Sequence, residues 1–365
     1  MRRQPTPPID GSGAPDAPPS DILPCPICGS RRRSRLFAAR DRLHRIDGAF
    51  HVTRCSCGLR ATDPAPGDIG AYYPPTYYAF GPVGRPPFFG LGLRGLLRTC
   101  VLRYHYGYRY GPLGAKLPAS GPLAVLLKLL TRPLRRRAAL VFGPGPLPPA
   151  VEGGRALDVG CGSGVWLLKM QALGWQVEGV EVSPTACAAA RAAGLTVHQA
   201  QLADARLPAD SFDVVRIWHT LEHVPDPALV LREAARLLKP GGTLLIGVPN
   251  AGGWMARLFG SYWFDLDVPR HLWHFTERDL RRLVAGAGLQ VVRVGYGFYG
   301  AYSLLWSLRY CWEERAGYTA EGRSAFERGR LWVRDARIAA PLRVLLRLAE
   351  RSNHLELTAV LPERP

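Results

Sequence analysis

Apolar and polar positions change their pattern at about residue 155. Beyond it, short apolar runs alternate with amphipathic segments, and the runs have the length of buried strands. The predicted strands are 156–159, 176–180, 195–199, 212–218, 243–248, 289–295 and, at the end of the chain, 354–361. Strands that alternate with helices predict a parallel sheet covered by helices on both faces.

Helix-start signals support this reading. Ser183 and Asp226 are capping residues, and each is followed by a proline at the first helical position. Thr276 and Asp279 form a capping-box pattern before an amphipathic run. Before residue 155 the pattern predicts two helices, at 91–104 and 123–142.

Composition divides the chain further. The predicted segments are a disordered N-terminus (1–23), a cysteine-rich segment (24–63), a basic helical linker rich in Pro, Gly and Tyr (64–150), an α/β cofactor-binding domain (151–298), and a helical insert with the last strand (299–365). A chain of 365 residues with 47% hydrophobic residues is long enough for about two domains.

The net charge of +18 is unevenly spread. Residues 1–150 hold 22 basic and 7 acidic residues, and residues 81–150 hold 11 basic and no acidic ones. Such a segment suits nucleic acid, an anionic lipid surface or an acidic substrate. A compositional bias towards arginine, which supplies 43 of the 47 basic residues, is the alternative explanation. No apolar run approaches the roughly 18 residues of a membrane span, and no signal peptide is evident, so we expect a cytoplasmic protein.

A glycine turn, GCGSG, follows the first strand of the α/β domain. Gly160, Gly162 and Gly164 permit a tight turn and close approach of a ligand to the backbone. A dinucleotide fingerprint would place its last glycine at position 165, which is Val165. The spacing therefore weakens the dinucleotide interpretation.

Glu181 ends the second strand, 21 residues after Gly160. A carboxylate at that point accepts hydrogen bonds from both hydroxyls of a ribose. A strand, glycine turn, helix, strand and terminal acid in this order indicate a ligand that contains a ribose.

Further motifs follow in order: LPADSFDVV, HTLEHVPDP, LLKPGGTLLIGVPN and PRHLWHFTERDLRRLVAGAGLQVV. With LDVGCGSG and GVEVSP, they make residues 155–298 resemble a class I S-adenosylmethionine-dependent methyltransferase. The resemblance implies a Rossmann-like seven-stranded sheet whose last strand, at 354–361, is antiparallel. It further implies a small zinc-ribbon-like segment and a helical linker before the sheet.

The resemblance also implies cofactor contacts. Asp158 and the turn from Gly160 to Gly164, including Cys161, would line the amino-acid and ribose side of S-adenosylmethionine. Glu181 would bind the ribose hydroxyls. Gln201 or Asp204 would approach the adenine. We read Cys161 as a small wall residue and not as a nucleophile, because a small side chain is needed between two glycines.

Methyl transfer is mainly a positioning task, but a hydroxyl or carbon acceptor also needs a base. Candidates follow the fourth strand, where ligands bind to parallel sheets: His219, Glu222 and His223. His219 and His223 would share a face if the segment were helical. A second group follows the fifth strand, and His271 is its candidate base. A structural hydrogen bond is the alternative role for each histidine.

The cysteine-rich segment contains two pairs, Cys25-x-x-Cys28 and Cys55-x-Cys57, each followed by glycine. Four thiolates in two facing knuckles predict a tetrahedral structural Zn²⁺ site. The second pair lacks one spacer residue, so His44 or His51 could substitute as a ligand, and reduced cysteines without metal are the alternative. Methyltransferases of this type begin with a similar segment followed by residues like DPAPGDIGAYYPPTYYAF, which extends the resemblance over residues 24–80.

Three functional hypotheses remain open. The leading one is methyl transfer to a small or carrier-linked metabolite, such as a sugar or a lipid-linked glycan, with residues 81–150 resting on an anionic membrane surface. The second is an RNA methyltransferase that holds RNA with the cysteine knuckle and the basic arm. Leucines interleaved with the arginines make nucleic acid the less favoured partner. The third is a non-enzymatic zinc module fused to a degenerate cofactor fold, against which the intact turn and Glu181 argue.

Overall fold

The structure, a computed structural model, describes residues 22–73, 92–109, 111–134, 145–297, 300–316 and 353–363. Most of the predicted disordered N-terminus and of the insert after residue 299 lies outside these residues. So does the end of the helix predicted at 123–142.

A seven-stranded sheet forms the centre of the α/β domain. Its strands are β4 (Arg155–Val159), β5 (Gln176–Glu181), β6 (Thr196–Gln199), β7 (Phe212–Trp218), β8 (Leu238–Pro249), β10 (Gln290–Tyr296) and β11 (His354–Val360). Their order is β6-β5-β4-β7-β8-β11-β10, and β11 runs antiparallel to both of its neighbours. The predicted fold, including its antiparallel last strand, is confirmed.

Helices cover the sheet: α4 (Val165–Ala172), α5 (Pro184–Ala192), α6 (Pro227–Leu237), α7 (Trp254–Phe259), α8 (Glu277–Gly286) and α9 (Gly300–Ala316). The predicted caps are present, since Ser183 and Asp226 accept from the amides of Ala186 and Leu229. Thr276 and Asp279 form the predicted capping box of α8. Central-strand side chains on both faces of the sheet are fully buried, which fixes the carboxyl edge of β4, β5 and β7 as a rigid platform.

The cysteine-rich segment folds as three antiparallel strands, β1 (Arg33–Ala39), β2 (Phe50–Cys55) and β3 (Arg60–Asp63). A fourth strand comes from the α/β domain: β9 (Trp273–His274) pairs with β3, opposite Arg60 and Ala61. The small sheet therefore includes residues from both parts of the chain.

The basic linker contains α1 (Leu93–Tyr106), α2 (Gly111–Lys116) and α3 (Pro122–Thr131). Helix α1 ends at Gly107 in the left-handed conformation. Helix α3 ends earlier than predicted, in a 3-10 turn at Arg132–Leu134, because Pro133 lacks an amide proton for the helix to continue. Among the described residues, no helix is both long and apolar enough to cross a membrane.

Candidate functional site

The glycine turn joins β4 to α4 at the carboxyl edge of the sheet. Gly160 has a φ of +70° and Gly164 a φ of +85°, both in the left-handed region that favours glycine. A Cβ atom at Gly160 would collide with the side chain of Thr220, and one at Gly164 with Leu195. Both glycines are therefore required by backbone conformation and by packing.

Glu181 lies beside this turn and is largely buried. Its Oε2 accepts from the amide of Gly162 at 2.9 Å, and its Oε1 accepts from the amides of Val182 and Ser183, each at 2.9 Å. Three backbone donors fix the carboxylate at the end of β5, directly against the glycine turn. This is the position that the sequence predicts for a ribose-binding acid.

Cys161 packs into the wall beneath the turn. A Cβ atom at Gly179 of β5 would lie 2.6 Å from the Cys161 Sγ, so the sulfur already touches the neighbouring strand. Burial raises the pKa of the Cys161 thiol, and the nearby carboxylates of Asp158 and Glu181 raise it further. The thiol is therefore protonated at neutral pH, which is unfavourable for a nucleophile.

Asp158, near the end of β4, is paired with Arg216 of β7. Arg216 Nη1 lies 3.0 and 3.1 Å from the two carboxylate oxygens. Burial raises the pKa of Asp158, and the Arg216 guanidinium opposes that rise. Arg216 was not a candidate from sequence, because its pairing depends on the parallel register that sets Asp158 beside it.

Gln201 and Asp204 follow β6 at the edge of the sheet, and both side chains are exposed. Leu202 between them is buried, and Asp204 lies in a short 3-10 turn, Ala203–Ala205. The two candidates for the adenine side are thus on the same loop.

His219 follows β7 directly, with a φ of +50°. A left-handed residue that is not glycine is uncommon and costs backbone strain. The segment after it is a turn and not a helix, so the condition under which His219 and His223 would share a helical face is not met. The turn instead points His219 Nδ1 at Glu222 Oε1, 3.2 Å away.

Glu222 lies at the centre of the candidate catalytic residues, which the structure gathers after β7. Burial alone would raise its pKa, but the hydrogen bond from His219 and the surrounding imidazoles of His223 and His271 lower it to about 2. The group is therefore a carboxylate at neutral pH. Its Oε2 is buried and has no hydrogen-bond partner among the described residues.

His223 and His271 flank this carboxylate, and their rings meet edge to face with centroids 4.7 Å apart. His223 Nδ1 lies 2.9 Å from the carbonyl oxygen of Arg270, and His271 Nδ1 lies 2.8 Å from that of Asp265. A carbonyl oxygen only accepts, so each Nδ1 carries a proton. Burial, with a smaller contribution from His271, lowers the pKa of His223 to about 4. The structure thus brings together all four catalytic candidates.

Two residues at this site escaped the sequence analysis. Tyr73, near the start of the linker, places its hydroxyl 2.8 Å from His223 Nδ1. His354 opens β11, and its ring centroid lies 4.6 Å from that of His219. His354 begins the predicted last strand, but only the structure places that strand, β11, beside β8, the neighbour of β7.

A buried cluster of charged residues lies beside His223 and His271. Arg270, fully buried, donates to Asp41 at 2.8 Å and to Asp267 at 2.6 Å, and also to the carbonyl oxygen of Tyr72. Asp41 belongs to the cysteine-rich segment and Tyr72 to the start of the linker, so this cluster ties both to the site formed by His219, Glu222, His223 and His271. His274, nearby, binds Thr62 through its Nε2 at 3.0 Å and has a structural role.

The four cysteines of the N-terminal segment converge. Cys25 and Cys57 have sulfurs 3.5 Å apart, those of Cys28 and Cys55 are 3.4 Å apart, and all four lie within 4.8 Å of one another. Tetrahedral Zn²⁺ with bonds of about 2.3 Å sets its sulfurs about 3.8 Å apart, so the set fits this ion. The missing spacer in the second pair does not prevent convergence, and no histidine is needed.

The chain is similar to known methyltransferases. A family model described as a methyltransferase domain matches residues 129–294. A ubiquinone biosynthesis O-methyltransferase of Xanthomonas axonopodis pv. citri is 34% identical over 186 residues, which cover 47% of this chain and 74% of the relative. One from Xanthomonas oryzae pv. oryzae is 35% identical over 136 residues, or 35% of this chain. The chain spans 57% of the length of that relative.

One solved structure is a phosphoethanolamine N-methyltransferase of Haemonchus contortus in complex with S-adenosylmethionine. It shows 20% identity and a TM-score of 0.43, with 78% of this chain and 61% of the other covered. The strand order, the glycine turn and the match to the Xanthomonas axonopodis relative agree, and they place the chain among the class I S-adenosylmethionine-dependent methyltransferases.

Proposed function

We propose that this chain transfers the methyl group of S-adenosylmethionine to a hydroxyl group of a small or carrier-linked metabolite. The observation that carries the proposal is the hydrogen bond from the Gly162 amide to Glu181, which holds the carboxylate against the glycine turn, where close packing leaves no room for a Cβ atom at Gly160 or Gly164. In this proposal Asp158 and the turn from Gly160 to Gly164 hold the amino-acid and ribose parts. Glu181 accepts from the ribose hydroxyls, and Gln201 or Asp204 meets the adenine. The bound cofactor supplies an electrophilic methyl group.

His219 and Glu222 supply the base in this proposal. The Glu222 carboxylate accepts the Nδ1 proton of His219, which leaves the lone pair on Nε2 to take the proton of the acceptor hydroxyl. Glu222 then stabilises the imidazolium that forms, as the acid of a catalytic triad does. His223 and His271, each held by a hydrogen bond from Nδ1 to a backbone carbonyl oxygen, would shape the wall that excludes water.

The names of the relatives support an oxygen acceptor, because both are O-methyltransferases of ubiquinone biosynthesis. A sugar or a lipid-linked glycan would offer the same hydroxyl chemistry. Untargeted metabolite profiling of a deletion strain tests the class: we expect a hydroxylated species to accumulate that lacks one methyl group relative to the missing product. A metabolite profile with no accumulated species and missing product that differ by one methyl group would contradict the proposed activity.

We also propose that the four cysteines hold a structural Zn²⁺. The convergence of their sulfurs supports it, as do the positive φ angles of Gly29 and Gly58, which close the two knuckles. Metal analysis of the purified protein should find one zinc per chain, and a Cys28→Ser variant should lose it.

Contact with an anionic membrane would bring a lipid-carried acceptor to the site. Helix α3 exposes five apolar side chains by 51–64%: Leu123, Val125, Leu126, Leu129 and Leu130. Residues 92–134 contain seven basic residues and no acidic ones. Exposed leucines beside basic side chains suit an anionic lipid surface better than RNA.

Sedimentation with vesicles tests this contact. The protein should bind phosphatidylglycerol-containing vesicles and not pure phosphatidylcholine, and a Leu126→Glu/Leu129→Glu variant should lose that binding. Leu258→Glu is the matched control, because Leu258 of α7 is 66% exposed and lies outside the linker. Equal loss in the control, or no binding by the parent, would contradict the proposal.

A further inference from the structure

Arg216 is held in an unusual environment for a cation. Its guanidinium lies over two indole rings, 5.0 Å from the ring centroid of Trp166 and 4.8 Å from that of Trp218. Its side chain is 8% exposed, and its partner Asp158 is 2% exposed. Two aromatic faces and one carboxylate therefore fix the plane of the guanidinium before any ligand arrives.

The position of this pair places it at the proposed cofactor site. Asp158 lies two residues before Gly160, where the glycine turn begins, and Trp166 lies in the first turn of the helix that follows. The charge of Glu181 contributes to the raised pKa of Asp158, although burial is the larger cause. The Arg216–Asp158 pair is therefore close to the carboxylate proposed to bind the ribose.

The guanidinium has hydrogen-bonding capacity that this pairing does not use. Arginine has five N–H donors, and in the described part of the chain the hydrogen bonds of Arg216 run from Nη1 to Asp158. A buried ion pair costs desolvation and is by itself a weak source of stability. An arginine with spare donors is, by contrast, well suited to hold a carboxylate.

We propose that Arg216 binds the α-carboxylate of the amino-acid part of S-adenosylmethionine. This inference rests on the proposed function. The cofactor presents an ammonium and a carboxylate on one carbon, and the Asp158–Arg216 pair offers the complementary charges side by side. Trp166 and Trp218 keep the guanidinium in the plane that this contact requires.

Calorimetry with three ligands tests the assignment. S-adenosylhomocysteine carries the full amino-acid group, its decarboxylated analogue keeps the amine alone, and methylthioadenosine lacks both. An Arg216→Met variant should bind S-adenosylhomocysteine about 10- to 100-fold more weakly, the usual cost of losing a charge-assisted hydrogen bond. Its affinity for the two ligands without a carboxylate should equal that of the parent. Arg216→Lys should recover part of the loss.

Two controls separate this role from a structural one. Arg155→Met removes a similar arginine, paired with Glu178 at 2.6 Å and stacked on Phe212, from the opposite end of β4. Lys169→Met removes a half-buried cation near Arg216. Burial is the main cause of the lowered pKa of Lys169, and the charge of Arg216 lowers it further. Neither change should be selective for the carboxylate.

The outcomes are distinct. If Arg216→Met weakens all three ligands equally, or if Lys169→Met shows the carboxylate-selective loss, the assignment is overturned. If the parent protein binds none of the three ligands, the proposed function fails instead.

Discussion

His219 combines strain with a hydrogen bond to a buried carboxylate. A residue in the left-handed region persists only where its surroundings over-determine it, and such residues concentrate at functional sites. Its neighbour Glu222 is ionised, since its pKa is lowered to about 2 despite burial. In the proposed function, the second nitrogen of this imidazole acts as the base.

Replacing His219 tests this role. We expect His219→Ala to lower turnover about 10²- to 10⁴-fold, the usual contribution of a general base, and to leave cofactor affinity nearly unchanged. His219→Asn is the matched variant, because asparagine tolerates the left-handed conformation and separates lost chemistry from strain. Single-turnover kinetics and calorimetry measure the two effects, and equal turnover in variant and parent would refute the general base.

Cys161, unlike His219, is predicted to take no part in the reaction. Cys161→Ala should keep most of the methyl-transfer activity at a cost of about 1 kcal/mol of stability, because the residue fills space against Gly179. Cys161→Leu, with a larger side chain at the same contact, should impair cofactor binding. Loss of methyl transfer in Cys161→Ala with intact cofactor binding would show that the thiol takes part in the reaction.

At the scale of elements, the predicted strands agree with the observed ones to within a residue or two, except β8. That strand begins at Leu238 and not at residue 243, because its early residues pair with β7 opposite Phe212. Strand β9 has only two residues, Trp273 and His274, and exists because β3 lies beside it. Local pattern cannot predict a strand whose hydrogen bonds all come from a distant segment.

The loops and strands around the site bury several neutral histidines. Burial lowers the pKa of His223 to about 4 and that of His274 to about 3, and it holds the pKa of His354 well below its usual value. In the unfolded chain each would titrate near 6.5. The unfolded state therefore binds more protons below that pH, and folding stability falls as the pH decreases from about 6.5 towards 4.

Denaturant unfolding between pH 7.5 and 5.5 measures this loss. Each such histidine contributes a slope of up to about 1.4 kcal/mol per pH unit below 6.5. His274→Gln preserves a donor or acceptor for Thr62. It should reduce the slope of unfolding free energy against pH by the contribution of one histidine. A stability that is constant over this range would contradict the assignment of neutral buried histidines.

For the whole molecule, the cysteine-rich part forms one side of the histidine site. Strand β3 pairs with β9, Asp41 binds Arg270, and Tyr73 of the adjoining linker binds His223. Zinc at the four cysteines would therefore stabilise the wall of the acceptor site, at a distance from the glycine turn.

Removing the metal tests this coupling. A chelator, combined with a thiol reagent, should lower turnover and leave the affinity for S-adenosylhomocysteine nearly unchanged, because the cofactor contacts lie in the other part of the chain. Cys57→Ser should behave like the chelated protein. A metal-free protein with full turnover would show that the cysteine-rich part does not shape the site.

The sequence alone determined the fold class, the glycine turn with Glu181, the four cysteines and the histidine candidates. Each of these depends on local spacing or on side-chain chemistry that a short stretch of chain already contains. Only the tertiary structure decided that Arg216 meets Asp158, that Arg270 joins Asp41 to Asp267, and that Tyr73 and His354 reach the histidines. These contacts join residues far apart in the chain, so they follow from strand order and register, which local patterns do not contain.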